Sequence, residues 1–396
     1  MSEGARETWI TGIGIVSALG EGADAHWQGL LEGRIAPDRT YCPPYVIHRI
    51  AALDYDKQIP KKGDQRQMEG WQRIGTYAAG LALDDAGAKD PELLSRMDLI
   101  VAAGGGERDA AVDSAILSGL PKAAAPDIFL NERLMGDLRP TLFLAQLSNL
   151  LAGNISIVHG VTGSSRTFMG EESSGVDAAR IAMARINAGQ SNISLVGGSY
   201  NAERKEQLFF LGFARFNIEG ELRPVWERGP HGGFAIGSIG AFLVLEPREH
   251  AEKRGAKALA RVTRIESDHT RRKPGMITSA LERMWALCAP DLRPGEHAII
   301  SGATGAEPAT SEERAFLERH PDVPVRATGA HIGHGVEAQF VMNVALAACA
   351  VHRGRLFPPL GQSGVERPFE GTLRQAVVTS VGHWRGEGLA LVEAVD

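Results

Sequence analysis

The sequence predicts an α/β protein built in two halves, with buried strands layered between helices, and three observations carry that expectation. Short apolar runs end in glycine, as in "MDLIVAAGGG" and "SNISLVGGSY", and helical patterns separate them. Runs of this kind are strands covered on both faces, because neither face then needs to be polar. Around "GGFAIGSIGAFLVLEPREHAEKRGAKALARVTRIES" a strand runs into a charged helix and then another strand, which reads as a seam, and the same grammar returns more weakly beyond it. The seam is placed near residue 250, giving an N-terminal half over residues 1–250 and a C-terminal half over 251–396. With 396 residues, 43% of them hydrophobic, the chain can bury one large core or two fused halves of roughly 150 to 250 residues.

Each element follows in order. "TWITGIGIV" (8–16) is a β-branched run broken by glycines, and "HWQGLLEGR" after it has helical spacing. "MDLIVAAGGGERDAAVDSAILSGL" ends an apolar run in Gly104, Gly105 and Gly106 before a second helical pattern. "FMGEESSGVDAARIAMARINAG", from Phe168 to Gly189, is a short strand turning sharply into a helix. There Val176, Ala179, Met183 and Ile186 recur at helical spacing and Gly189 supplies the stop, so the helix is predicted over 173–188. The second half adds "EHAIISGATG", "VPVRATGAHIGHG", the helix "EAQFVMNVALAACAVHRG" and a closing strand pair around "AVVTSVGH" and "GLALVEAV".

Composition excludes several classes of function. The net charge of −6 comes from 48 acidic and 42 basic residues with no basic run, so nucleic acid is not an expected partner. Cys42, Cys288 and Cys349 lack metal-ligand or disulfide spacing and suit a reducing cytoplasm. The N-terminal stretch has no basic start followed by an apolar region, and no stretch nears the roughly 18 to 20 apolar residues of a membrane helix. A cytoplasmic protein without a membrane span is expected.

The motifs are weighed one by one. Gly12-Ile13-Gly14 opens a strand-to-helix turn, but the third glycine of a dinucleotide fingerprint would fall at Ser17 and no acidic residue follows in place, so a tight turn is the better reading. His331 and His334 in "AHIGHG" lack a nearby third ligand, so a loop is favoured and no metal is expected. "GEESSG" misses the spacing of a serine nucleophile elbow at both Ser173 and Ser174. Glu172 sits at a helix N-terminus, where free N–H groups and the dipole favour an anion by about 0.3 to 1 kcal/mol, or about 2 when partly buried. Taken alone, it reads as a helix-capping carboxylate.

Taken together, the segments resemble the elongating β-ketoacyl-acyl carrier protein synthases, condensing enzymes of the thiolase fold. "TGIGIVSALG" is similar to the family's opening strand and turn. "RPTLFLAQLSNLLAGNISIVHGVTGSSRTFMGEESSG" resembles, without a gap, the run from its proline and asparagine to its nucleophile elbow. "ARINAGQSNISLVGGS" resembles the elbow helix end and following strand, and "GGFAIGSIGAFLVLE" with "HAEKRGAKALARV" the crossover between halves. The resemblance implies two pseudo-symmetric βα halves in a five-layer αβαβα arrangement, a pair of mixed sheets with the elbow helix buried between them, and an obligate or nearly obligate dimer. It also implies acyl and malonyl groups carried on the phosphopantetheine of an acyl carrier protein, with no cofactor of the chain's own.

The family's reacting groups are replaced. The nucleophilic cysteine falls on Glu172. The first histidine falls on Thr304, within Gly302-Ala303-Thr304-Gly305-Ala306, and the lysine falls near Gly329. His334 keeps the second histidine, with several residues missing before Val336 and Glu337. The Gly-Phe-Gly-Gly gate becomes Gly382-His383-Trp384-Arg385, which puts His383 at the gate and oxyanion position, and the acidic residue of the crossover falls on Ser238.

A thiolate accepts an acyl group because it is nucleophilic near neutral pH and leaves readily. A carboxylate would give a mixed anhydride, and Thr304 offers no imidazole to a developing enolate. The leading expectation is therefore a catalytically degenerate subunit, like the family's chain-length factors. In it Glu172 receives backbone N–H bonds where an oxyanion would sit, and the chain pairs with an active synthase or with itself. Within the family the resemblance is strongest to the second synthase-like subunit used in making very long acyl chains for lipid A. Whether the chain is itself an enzyme stays open. The alternative is a condensing enzyme or malonyl-carrier decarboxylase with altered chemistry, using Glu172 and His334 with Thr304 and His383 around one pocket. A serine hydrolase on Ser173 or Ser174 lacks a placed base and acid.

Overall fold

The structure, a computed structural model, describes residues 6–138 and 146–395; the opening "RPTLFLA" of the segment that resembles the run to the elbow, with Pro140, lies outside them. Ten longer strands form the framework. They are β1 (Thr8–Ser17), β2 (Asp98–Ala103), β3 (Ser165–Met169), β4 (Ser194–Tyr200), β5 (Ile239–Pro247), β6 (Ala260–Asp268), β7 (His297–Ser301), β8 (Val325–Ala327), β9 (Gln375–Val381) and β10 (Glu387–Glu393). The helices that position the site are α1 (Gly22–Leu31), α2 (Gly70–Asp85), α3 (Leu150–His159), α4 (Glu172–Asn187), α5 (Lys205–Phe213), α6 (Met276–Cys288), α7 (Ala309–Leu317) and α8 (Gln339–His352).

Strand order runs β8-β7-β9-β10-β6-β1-β5-β4-β2-β3, with Gly20–Glu21 folded back on β1. From the outer edge inward, β3, β2 and β4 are parallel and then β5 and β1 turn antiparallel. The other side repeats this, with β8, β7 and β9 parallel and β10 and β6 antiparallel. The expected pair of mixed sheets is hydrogen-bonded into one ribbon, because Thr8–Ile10 of β1 pair with Ala260–Val262 of β6. That link is three residues long, so the two five-strand sets still turn as separate layers.

The strands are buried on both faces, and their alternation sorts side chains between layers. In β2, Ile100 and Ala102 face the middle of the molecule while Leu99, Val101 and Ala103 face α2 and α3. In β9 and β10, Ala376, Val378, Ala390 and Val392 face the middle, and Val377, Leu389 and Leu391 face α6 and α7. Helices α4 and α8 pack on each other and on strands of both sets, which makes them the central layer of five. Small residues Ala178, Ala179 and Ala182 let α4 approach both sets closely, and burial of Val176 and Ile186 contributes about 1.5 to 3 kcal/mol each. Gly175 is needed because a Cβ there would meet the Glu337 carbonyl at 2.5 Å. No helix among the described residues is long and apolar enough to cross a membrane.

Candidate functional site

Strand β3 ends at Met169, and the chain turns into α4 at Gly170, whose φ of +151° suits glycine. Glu171, not Glu172, occupies the N-cap position, and its side chain makes no capping bond. It reaches instead to Arg385, 3.0 Å from Glu171 Oε2 to the guanidinium Nε. Glu172 is the first helical residue, and its carboxylate turns inward. The capping reading is therefore corrected: with two glutamates in succession, the turn sends one out to a guanidinium and the other into the core.

Glu172 Oε1 accepts from His334 Nε2 at 2.7 Å and from His383 Nδ1 at 2.7 Å. The His383 backbone N–H adds a longer bond to the same oxygen, 3.3 Å. An ionised carboxylate only accepts, so both imidazoles present an N–H to it. The expected backbone cradle is thus a single long N–H bond, and the imidazoles are the closer partners. Glu172 is 1% exposed, His334 2% and His383 4%. Burial pushes the Glu172 carboxyl up, but the charge of His383 and the bonds from both imidazoles more than offset this and hold it below the usual carboxylate range. Its second oxygen, Oε2, is buried without a partner.

Three elements far apart in sequence deliver these groups. His334 lies in the loop after β8, pinned by its N–H to the Ala235 carbonyl at 2.8 Å and by its carbonyl to the Gly237 N–H at 2.9 Å. His383 lies in the β9–β10 hairpin, where Arg272 donates to the Gly382 carbonyl at 2.7 Å and also pairs with Glu387. Aromatic rings wall the pair: Phe234 lies 4.9 Å from His334, and Phe216 and Trp384 lie 5.0 and 4.4 Å from His383. Phe210 of α5 stands 5.5 Å from Trp384 on the exposed side. A cavity of about 780 Å³ lies beyond Phe216, lined by that ring with Arg228, His231, Gly233 and Glu307 but by none of the three buried residues.

Thr304 does not join them by a hydrogen bond. Its hydroxyl accepts from the Ala306 N–H at 3.1 Å, and its carbonyl accepts from Arg228 at 2.6 Å. The hydrogen-bonded set is Glu172, His334 and His383. His331 turns away to the Arg34 carbonyl at 3.0 Å, so His334 finds its companions in Glu172 and His383 and not in its sequence neighbour. Ser174 Oγ donates to the Glu171 carbonyl at 2.7 Å, which removes it as a nucleophile. Ser238 Oγ accepts from the Ala202 N–H at 2.9 Å.

Sequence reasoning missed Arg228. Its buried guanidinium, pushed down to about 10 by burial, gathers the carbonyls of Arg223, Gly233, Thr304 and Gly329. A lone arginine before a glycine-rich stretch carries no periodic signal. Glu337 was also unassigned as a site residue. Burial, with a smaller contribution from the charges of Glu172 and Glu171, pushes its carboxyl up to about 8. Beside it Val336 takes φ +41°, strained for a β-branched residue.

The chain's chemistry at this point is a carboxylate held dry between two imidazoles. Attack through it would break two short, charge-assisted bonds in a low dielectric. None of the three cysteines is at the elbow, and burial pushes Cys288 and Cys349 up to about 12.

Comparison with known proteins agrees with this architecture. Residues 5–251 match the family model described as β-ketoacyl synthase, N-terminal domain. The chain is 28% identical over 272 residues to 3-oxoacyl-[acyl-carrier-protein] synthase 2 of Vibrio harveyi, a match spanning 64% of this chain and 61% of that protein. Among solved structures, the ishigamide ketosynthase/chain length factor superposes with a TM-score of 0.82 at 17% identity, covering 99% of this chain and 100% of that one. The type II polyketide ketosynthase AntDE, solved in complex with its acyl-carrier protein AntF, gives 0.77 at 17% identity, covering 99% and 100%. Those two likenesses are of fold: the thiolase-like five-layer arrangement. The chain belongs to the β-ketoacyl synthase family.

Proposed function

We propose that the chain is a non-condensing ketosynthase-like subunit of fatty acid or polyketide synthesis, which pairs in the cytoplasm with a cysteine-bearing synthase and helps set acyl chain length. The observation that carries this reading is the closed Glu172–His334–His383 cluster, a carboxylate bonded to both imidazoles, at the position to which the sequence resemblance assigns the family's reacting thiol. Pairing is supported by β3, which among the described residues ends the sheet as an edge strand. Met169 on that strand and Ile157 on the adjoining α3 are 72% and 73% exposed. An edge with free backbone groups beside apolar side chains is suited to adding a neighbouring chain. The carrier-borne acyl chain would belong to the active partner, and very long chains such as those of lipid A are one fitting product class. A homodimer is the alternative assembly.

Co-expression with the cysteine-bearing synthases of the same genome tests the reading. A stable mixed complex whose product length changes when this chain is omitted is the expected result. A second reading, malonyl-carrier decarboxylation, is favoured by His334 being retained against an ionised Glu172. It requires carbon dioxide release from malonyl-carrier protein by the isolated chain, lost in Glu172→Ala.

A further inference from the structure

Glu172, His334 and His383 each bring a ligating atom within 4.8 Å of the other two, with both imidazole nitrogens directed at Glu172 Oε1. They come from the first turn of α4, a pinned loop and a clamped hairpin; the pairing role rests on this trio being closed to acylation and calls for no ion there. We propose that the trio is a binding site for a divalent transition ion of the zinc class, held by the Glu172 carboxylate, His334 Nε2 and His383 Nδ1. The inference goes beyond the pairing role and does not depend on it.

Two imidazoles and one carboxylate form a borderline-soft set that suits zinc and its neighbours and disfavours magnesium and calcium, which take oxygen shells. Zinc bonds of about 2.0 to 2.1 Å place neighbouring ligand atoms about 3.3 Å apart. The imidazole-to-carboxylate spacing is 2.7 Å on both sides and the two imidazole nitrogens lie within 4.8 Å of each other, so seating the ion requires both contacts to Oε1 to widen.

The partnerless Oε2 is a second independent pointer. It belongs to a carboxylate only 1% exposed and has no hydrogen-bond partner among the described residues, and a cation beside the carboxylate would engage it. Protons balance without a co-reactant: a neutral imidazole moves its proton to the other ring nitrogen, and a charged one releases its proton to solvent. The walls of Phe216, Phe234 and Trp384 exclude competing water, and the backbone bonds at His334 and Gly382 fix the ligands in advance.

Titrating metal-stripped wild-type protein with Co²⁺ tests the site. The expected result is a visible d–d band saturating at one equivalent, abolished by one equivalent of Zn²⁺ and untouched by excess Mg²⁺. Glu172→Gln and His383→Gln are each expected to weaken binding at least tenfold, and the exposed His269→Gln to bind like wild type. Absence of a saturable band in folded wild-type protein overturns the proposal even if a variant fails to fold. So does a band that survives in Glu172→Gln. Neither result bears on pairing, which is read from the mass of the complex.

Discussion

Arg385 and Glu171 meet at 3.0 Å on the outside of the elbow, so the β9–β10 hairpin is fastened to the start of α4 directly over the buried Glu172–His383 bond. The outer pair is solvent-exposed on the arginine side, and such pairs contribute about 0 to 1 kcal/mol. Its effect is local. Arg385→Ala is expected to leave the denaturant midpoint nearly unchanged while raising amide hydrogen exchange at residues 382–386. Equal exchange in wild type and variant would mean the pair does not hold the hairpin.

The inner bonds are the costly ones to remove. Glu172→Ala leaves two buried imidazoles without their acceptor, and breaking a buried pair in this way costs about 3 to 5 kcal/mol. Glu172→Gln keeps the shape and one acceptor oxygen, so a loss of about 1 to 3 kcal/mol is expected. Urea denaturation with a chelator present checks the order. Equal stability of all three proteins would show that the cluster contributes nothing.

Acid should weaken the fold through buried histidines outside the Glu172 hydrogen-bond cluster. Burial pushes His26 from 6.5 down to about 4, and burial with the nearby Arg228 charge pushes His48 to about 3. Between pH 6.5 and 4 the unfolded chain therefore binds more protons than the folded one, so stability is full above 6.5 and is lost as pH falls. His26 alone accounts for on the order of 3 kcal/mol across that window. Urea midpoints at pH 7, 5.5 and 4 should fall in that order, and His26→Gln should flatten the decline.

Restoring the thiol should not restore synthesis. In Glu172→Cys the elbow regains a nucleophile, but the hydroxyl of Thr304 is engaged with the Ala306 N–H and supplies no imidazole. No condensation above background is expected in a product assay of the variant, its intact mass confirming the substitution. Condensation by this single variant would place the missing function elsewhere.

How far the sequence reached differs by residue. β2 and β4 were legible because runs such as "DLIVAA" need no polar face when helices cover both sides. The beginning of α4 was off by one residue, since backbone torsions alone decide which of two adjacent glutamates caps. His334 and His383 were placed by family pattern, but their meeting on one oxygen of Glu172 spans 162 and 211 residues of chain, beyond any local periodicity. The short β1–β6 link that joins the two strand sets was invisible for the same reason.

The central claim is that this chain works as the silent member of a synthase pair. Native mass spectrometry of the chain co-expressed with the cysteine-bearing synthases of its genome tests it most directly. A one-to-one mixed dimer, recovered in preference to either homodimer, is the expected result. A stable homodimer that excludes every such synthase would contradict it.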